Sequence, residues 1–242
     1  MKILVYENTW NGFLSAVFAA FSAKSEVRLV NAGRFDGLSL YTTVRIEENP
    51  SHALRVEKGL NRLSRDMPEA VYKIWLTEFD GIEDRIVEAL RLGFNLNRDP
   101  LPLLQHDCVK TIMEAHGKIV AEVCRFLGFV RFVRAPGELY VADIEPDCNI
   151  LPLIAEHFHD RFRGQKFIIR DRRRFAAIVS GEDGWEITEL RKDQMPDLPE
   201  DGEIEAVWKK YFEIIANPAR INRKLQRQFV PLRYRGNLTE FQ

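Results

Sequence analysis

Two stretches of this chain space their basic side chains so that phosphate binding is a plausible chemistry. From Arg220 to Arg235 the sequence carries Arg220, Arg223, Lys224, Arg227, Arg233 and Arg235, with no acid among them. Asn217-Pro218 is a helix-start signal. On a helix beginning there, Arg223, Lys224 and Arg227 fall within roughly 60° of Arg220, while Ile221, Leu225 and Phe229 lie about 100° to 180° away. Four like charges on one ridge repel one another, and a polyanion relieves that repulsion. The competing partner is internal: Glu182 to Glu205 holds ten acids against Arg191 and Lys192. The second stretch holds Arg161, Arg163, Lys166, Arg170, Arg172, Arg173 and Arg174, diluted by Asp160 and Asp171. Its centre, Asp171 to Arg174, is expected at an exposed turn between strands. Arginine forks match phosphate oxygens better than ammonium groups do.

Other residue types offer less. His157-Phe158-His159 invites a metal reading, but on a helix the two imidazoles point about 160° apart and cannot chelate one ion. No metal and no cofactor is expected. His157, Glu122 and Asp147 are the candidates for acid–base work, and Asp147 also reads as a cap for a helix at Leu151. No Ser/His/Asp set, Cys/His pair or paired carboxylates stand out. The first strand is not followed by a glycine-rich phosphate loop. Cys108, Cys124 and Cys148 lie far apart, as expected of reduced intracellular thiols.

These side chains need a scaffold. Lys2 to Tyr6 reads as a buried strand, residues 11–23 as a helix, Val27 to Val30 as a second strand and Tyr41 to Ile46 as a third. Residues 49–98 read as three helices, cut at Met67-Pro68 and Asp80-Gly81. A longer helix runs from about residue 103 to 127, with an apolar arc of Val109, Ile112, Ile119, Val120, Val123 and Leu127 that includes His116. The period then switches to two: a hairpin over 129–144, a helix over 151–162, and a second hairpin with a further strand over 167–190. The fold class is α+β: an antiparallel sheet of hairpins with packed helices, preceded by a small α/β unit. The expected boundary separates residues 1–80 from residues 81–242. With 35 basic and 36 acidic residues there is no global basic field, so nucleic-acid binding must rest on local charge. No apolar run reaches the roughly 18 residues that span a membrane, and the opening is too polar for a signal peptide. A cytoplasmic protein with no membrane partner is expected.

Several long motifs point to a family. GFVRF at Gly128–Phe132, IEPDCNILPLIAEHFHDRF at Ile144–Phe162, YFEIIANPARINRKLQRQFVPLRY at Tyr211–Tyr234 and the opening YENTWNGFLSAVFAAF together resemble a bacterial family named for DNA metabolism and DNA repair. The resemblance implies a gene neighbour, a radical-SAM protein of DNA modification or repair, and relatives in which the C-terminal domain is joined to a uracil-DNA-glycosylase-like domain. It also implies a histidine where this chain has Cys124; Glu122 and Arg125 match the surrounding pattern. The chain has no three-cysteine cluster and cannot itself carry the radical-SAM iron–sulfur centre. The expected function is a DNA-binding accessory module working with such an enzyme. The alternatives are a DNA-directed enzyme of nuclease or glycosylase type, and a protein-interaction scaffold.

Overall fold

The computed structural model describes residues 1–37, 39–135, 137–191 and 228–238. Arg220, Arg223, Lys224 and Arg227 lie outside them. The fold is mixed α+β, with six helices and two sheets among the described residues. The chain divides into two compact units, Met1–Val120 and Ala121–Gln242.

The first unit is built on β1 (Lys2–Tyr6). Its last three residues, Leu4, Val5 and Tyr6, are all buried, which fits a central strand covered on both faces. It pairs in parallel with β2 (Val27–Asn31) on one side and β3 (Thr42–Ile46) on the other. α1 (Trp10–Ser22) supplies the crossover from β1 to β2. Thr9 caps α1 by accepting the Gly12 N–H at 2.9 Å, and Gly12 is required by space: a Cβ there would sit 2.5 Å from the Glu7 carbonyl oxygen.

Three helices follow, α2 (Pro50–Leu63), α3 (Met67–Trp75) and α4 (Ile82–Leu96), close to the expected segments. Tyr6 donates to buried Glu83 at 3.0 Å and accepts from Trp75 Nε1 at 3.0 Å, while Arg34 pairs with the same glutamate. These bonds tie β1, α3 and α4 together. Asp84 accepts the Leu29 N–H at 2.8 Å and lies 3.4 Å from Arg28. Burial pushes Asp84 up to about 6 against the pull of both partners.

α5 (Asp107–Phe129) contains the division between the units. The second unit's sheet has the order β4-β5-β6-β7-β8, formed by β4 (Val133–Ala135), β5 (Leu139–Ile144), β6 (Lys166–Asp171), β7 (Ala176–Gly181) and β8 (Gly184–Glu189). Three pairings are antiparallel, as hairpin signals predict, but β5 and β6 run parallel. The cause is α6 (Leu151–Arg161), the one helix between them, which carries the chain back to the start of the sheet. Its buried stripe is Leu151, Ile154, Ala155 and Phe158, a helical spacing of 3, 4 and 7.

Two measurements test this account. Gly12→Ala should lower the unfolding free energy by about 2 kcal/mol, since the neighbouring backbone must shift; equilibrium urea denaturation checks it. The folded pKa of Asp84 is raised above its ordinary 3.8, so its contribution to stability is full below that value and is lost as pH rises through about 6. Asp84→Asn should therefore gain about 2 kcal/mol on the wild type between about pH 4.5 and about pH 7, measured by denaturation at both pH values.

Candidate functional site

The polar groups of the second unit concentrate where β5 and β6 both end. Carboxyl ends of parallel strands are where open sheets with crossover helices place their ligand sites. Asp143 on β5 stands opposite Arg170 on β6 in the strand register. Arg170 forks onto it, Nε to Oδ1 at 2.6 Å and Nη2 to Oδ2 at 2.9 Å, and Arg172 Nη1 adds a third bond at 3.1 Å. Asp171, with no exposed surface, accepts the backbone N–H groups of Arg173 at 2.9 Å and Arg174 at 3.1 Å and binds Arg174 Nη1 at 3.0 Å. That is an aspartate-capped turn, and it fixes the directions of the following arginines. Burial pushes the Asp171 carboxyl up in spite of Arg174. Arg174 also donates to the Pro146 carbonyl at 3.1 Å and the Asp147 carbonyl at 2.7 Å.

Beneath this layer lies Glu122, on α5 and only 2% exposed. Its Oε1 accepts the Asp147 N–H at 2.8 Å and its Oε2 the Cys148 N–H at 2.8 Å. The Tyr234 hydroxyl donates to Oε1 at 2.6 Å. Tyr234 belongs to a 3-10 turn, Leu232–Asn237, near the C-terminus, and its ring packs on Phe126 and Phe129 at centroid distances of 5.2 and 6.0 Å. Burial, then the bond to Glu122, push the Tyr234 hydroxyl up. Burial also pushes the Cys148 thiol up to about 12, with Glu122 adding to it, so this cysteine is an inert thiol at neutral pH.

On that base Asp147 receives two arginines, one on each carboxylate oxygen. Arg173 Nη1 meets its Oδ1 at 3.1 Å, and Arg233 Nη1 meets its Oδ2. Arg233 also donates to the Tyr234 oxygen at 2.6 Å and lies over the Tyr234 ring at 4.6 Å. The side chains of Arg173, Arg233 and Asp147 remain 58%, 54% and 39% exposed. Two arginine side chains are thus held beside one carboxylate with more than half of their surface exposed.

The expected site residues separate into distinct places. Arg161, Arg163 and Lys166 are exposed at the end of α6 and the start of β6, about 17 Å along the strand from the Asp171 turn. The basic cluster of residues 161–174 is therefore two groups at opposite ends of β6. Of the arginines here only Arg173 is exposed; Arg172 and Arg174 are half-buried and Arg170 is buried, because Asp143 and Asp171 claim them. Arg235 turns back to donate to the Val230 carbonyl at 3.2 Å. Of the acid–base candidates, Glu122 and Asp147 meet through a backbone bond, but no bond among the described residues joins His157 to either. His157 is exposed on α6, and its neighbour His159 bonds the Ser180 hydroxyl through Nδ1 at 2.8 Å. Among the described residues no group of His, Cys, Asp and Glu could hold a metal ion, and no helix is long and apolar enough to cross a membrane.

The site thus belongs to an α+β unit with an arginine–carboxylate network over a buried glutamate. Residues 80–240 match the domain of unknown function DUF4130, and the chain belongs to that family. No curated protein matches it.

The hydroxyl of Tyr234 is the bond that ties the C-terminal turn to Glu122. Tyr234→Phe should cost about 2 kcal/mol, in the range for a hydrogen bond to a charged group, read by thermal and urea denaturation; a variant as stable as the wild type would overturn this role.

Proposed function

We propose that the protein is a nucleic-acid-binding module that grips backbone phosphate through Arg173 and Arg233, and that it serves as an accessory to a DNA repair or modification enzyme of the radical-SAM class. The observation that carries the binding reading is the convergence of these two arginines, 60 residues apart in sequence, on one half-exposed carboxylate, each side chain more than half exposed. A phosphodiester oxygen and a carboxylate oxygen ask the same thing of an arginine fork. A phosphate approaching from outside meets both donors at once, while Asp147 holds them in place from within. Arg161, Arg163 and Lys166 add exposed positive charge at the far end of β6 and make no ion pair among the described residues. The radical-SAM partner rests on the chain's resemblance to the bacterial DNA-repair proteins.

The test is fluorescence anisotropy with labelled duplex and single-stranded oligonucleotides across a salt series. The Arg173→Ala/Arg233→Ala variant should bind both at least tenfold more weakly, and its slope of log affinity against log salt should be shallower by about 1 to 2. Unchanged affinity, or no binding by the wild type at low salt, would sink the proposal.

A further inference from the structure

In the first unit some cations are taken up by acids and others are not. Arg28, Arg34, Lys73 and Arg85 each face a carboxylate, on Asp80, Glu83, Glu69 and Glu88 in turn. Arg55, Arg62 and Arg91 are exposed and make no ion pair among the described residues. These three are not scattered. Arg55 and Arg62 lie on one stripe of α2 with His52 and Gly59, since steps of 3, 4 and 3 residues stay within about 80° of arc. Phe94 of α4 is wedged onto that stripe, its ring 3.1 Å from where a Cβ on Gly59 would stand. Arg91 lies one turn before Phe94 and donates to the Ala20 carbonyl at 2.8 Å.

Aromatic rings lie between these cations. Phe18 stacks on His52 at 4.0 Å with 15° between planes, and the Arg55 guanidinium sits 5.6 Å over Phe18. Phe21 meets Phe94 edge-on at 5.5 Å, and the Arg91 guanidinium sits 5.6 Å over Phe21. Phe21 and Phe94 are 39% and 38% exposed, so each ring leaves apolar surface in water. The nearest acid on α2, Glu57, points about 160° away from Arg55. The face is therefore aromatic and cationic, with its positive charge unanswered by α2.

We propose that this α1–α2–α4 face binds single-stranded nucleic acid, with bases stacking on Phe21 and Phe94 and phosphates meeting Arg55, Arg62 and Arg91. Single strands fit because their bases are free to leave the stack and lie on a ring, and an arginine already placed over a phenylalanine is the arrangement that follows a sugar–phosphate backbone past stacked bases. A duplex hides its base faces and offers only phosphate. The face belongs to the first unit and Arg173 and Arg233 to the second, and it accounts for rings that the proposed phosphate grip does not use.

The experiment is anisotropy with a labelled oligothymidine, an oligouridine of equal length and a duplex. Phe21→Ala/Phe94→Ala should weaken both single strands about tenfold or more, from the usual worth of a stacked base, and leave the duplex within twofold. Arg55→Glu, a charge reversal at an exposed position, should weaken the single strands and make their salt dependence shallower. Single-strand affinity unchanged in both variants would overturn the inference, as would equal losses on duplex and single strand. Binding of the wild type to anionic phospholipid vesicles that Phe21→Ala/Phe94→Ala abolishes, with oligothymidine affinity untouched, would also overturn it in favour of a lipid surface. The two proposals fail separately: loss only in Arg173→Ala/Arg233→Ala leaves the phosphate grip and removes this face, and loss only in Phe21→Ala/Phe94→Ala does the reverse.

Discussion

Glu122 accepts two backbone N–H groups and a tyrosine hydroxyl while almost wholly shielded from water. Buried carboxylates are costly unless fully bonded, and this one is bonded from two separate stretches of chain. The N–H groups come from Asp147 and Cys148, just before α6; the hydroxyl comes from the turn near the C-terminus. Taking the carboxylate away would strand the buried Cys148 N–H and the part-buried Asp147 N–H as well as the tyrosine. Everything above it inherits its position: the backbone at Asp147 fixes the carboxylate that Arg173 and Arg233 share, and Tyr234 fixes Arg233 directly. Glu122 is thus a positioning group. Its oxygens are occupied by structural donors, which fits an anchor better than a general base.

The same cluster marks where sequence reasoning stopped. The secondary elements were largely legible, because period and capping residues act locally: Thr9 before α1 and Asn49-Pro50 before α2 sit where helices begin. The long helix was harder. Its expected arc rightly held Ile119 but ran on through Val120, Val123 and Leu127, whereas burial passes from Ile119 to Glu122 and Phe126. A glutamate in that register reads as a solvent-facing residue, and the tyrosine that satisfies it lies 112 residues away. The parallel pairing of β5 and β6 was hidden for a related reason. Hairpin signals describe neighbours in sequence, and this pair is made across a helix.

Charge tells a similar story at longer range. In sequence, Asp160 and Asp171 appear only to dilute a run of arginines. In space Asp171 organises the turn, Asp143 takes up Arg170 and Arg172, and Asp147 holds Arg173 and Arg233. Counting basic residues in a window therefore overstates the charge on offer. Arginines forked onto aspartates are part of the scaffold, and among the described residues of the second unit the free positive potential belongs to the half-exposed pair at Asp147 and to the exposed residues near Lys166.

That distinction sets the energetics of any phosphate contact at the Asp147 pair. A guanidinium already holding a carboxylate gains less from a phosphate than a bare one, since part of its attraction is spent within the protein and the incoming anion meets the aspartate's repulsion. The compensation is preorganisation: the side-chain entropy of Arg173 and Arg233 is largely lost before the ligand arrives. Binding of this kind is modest at each contact and gains strength by adding contacts along the strand. For a chain with net charge of −1, separated local grips serve better than a broad basic surface, because each works within about a Debye length, roughly 8 Å at physiological salt, and is little weakened by acids farther off.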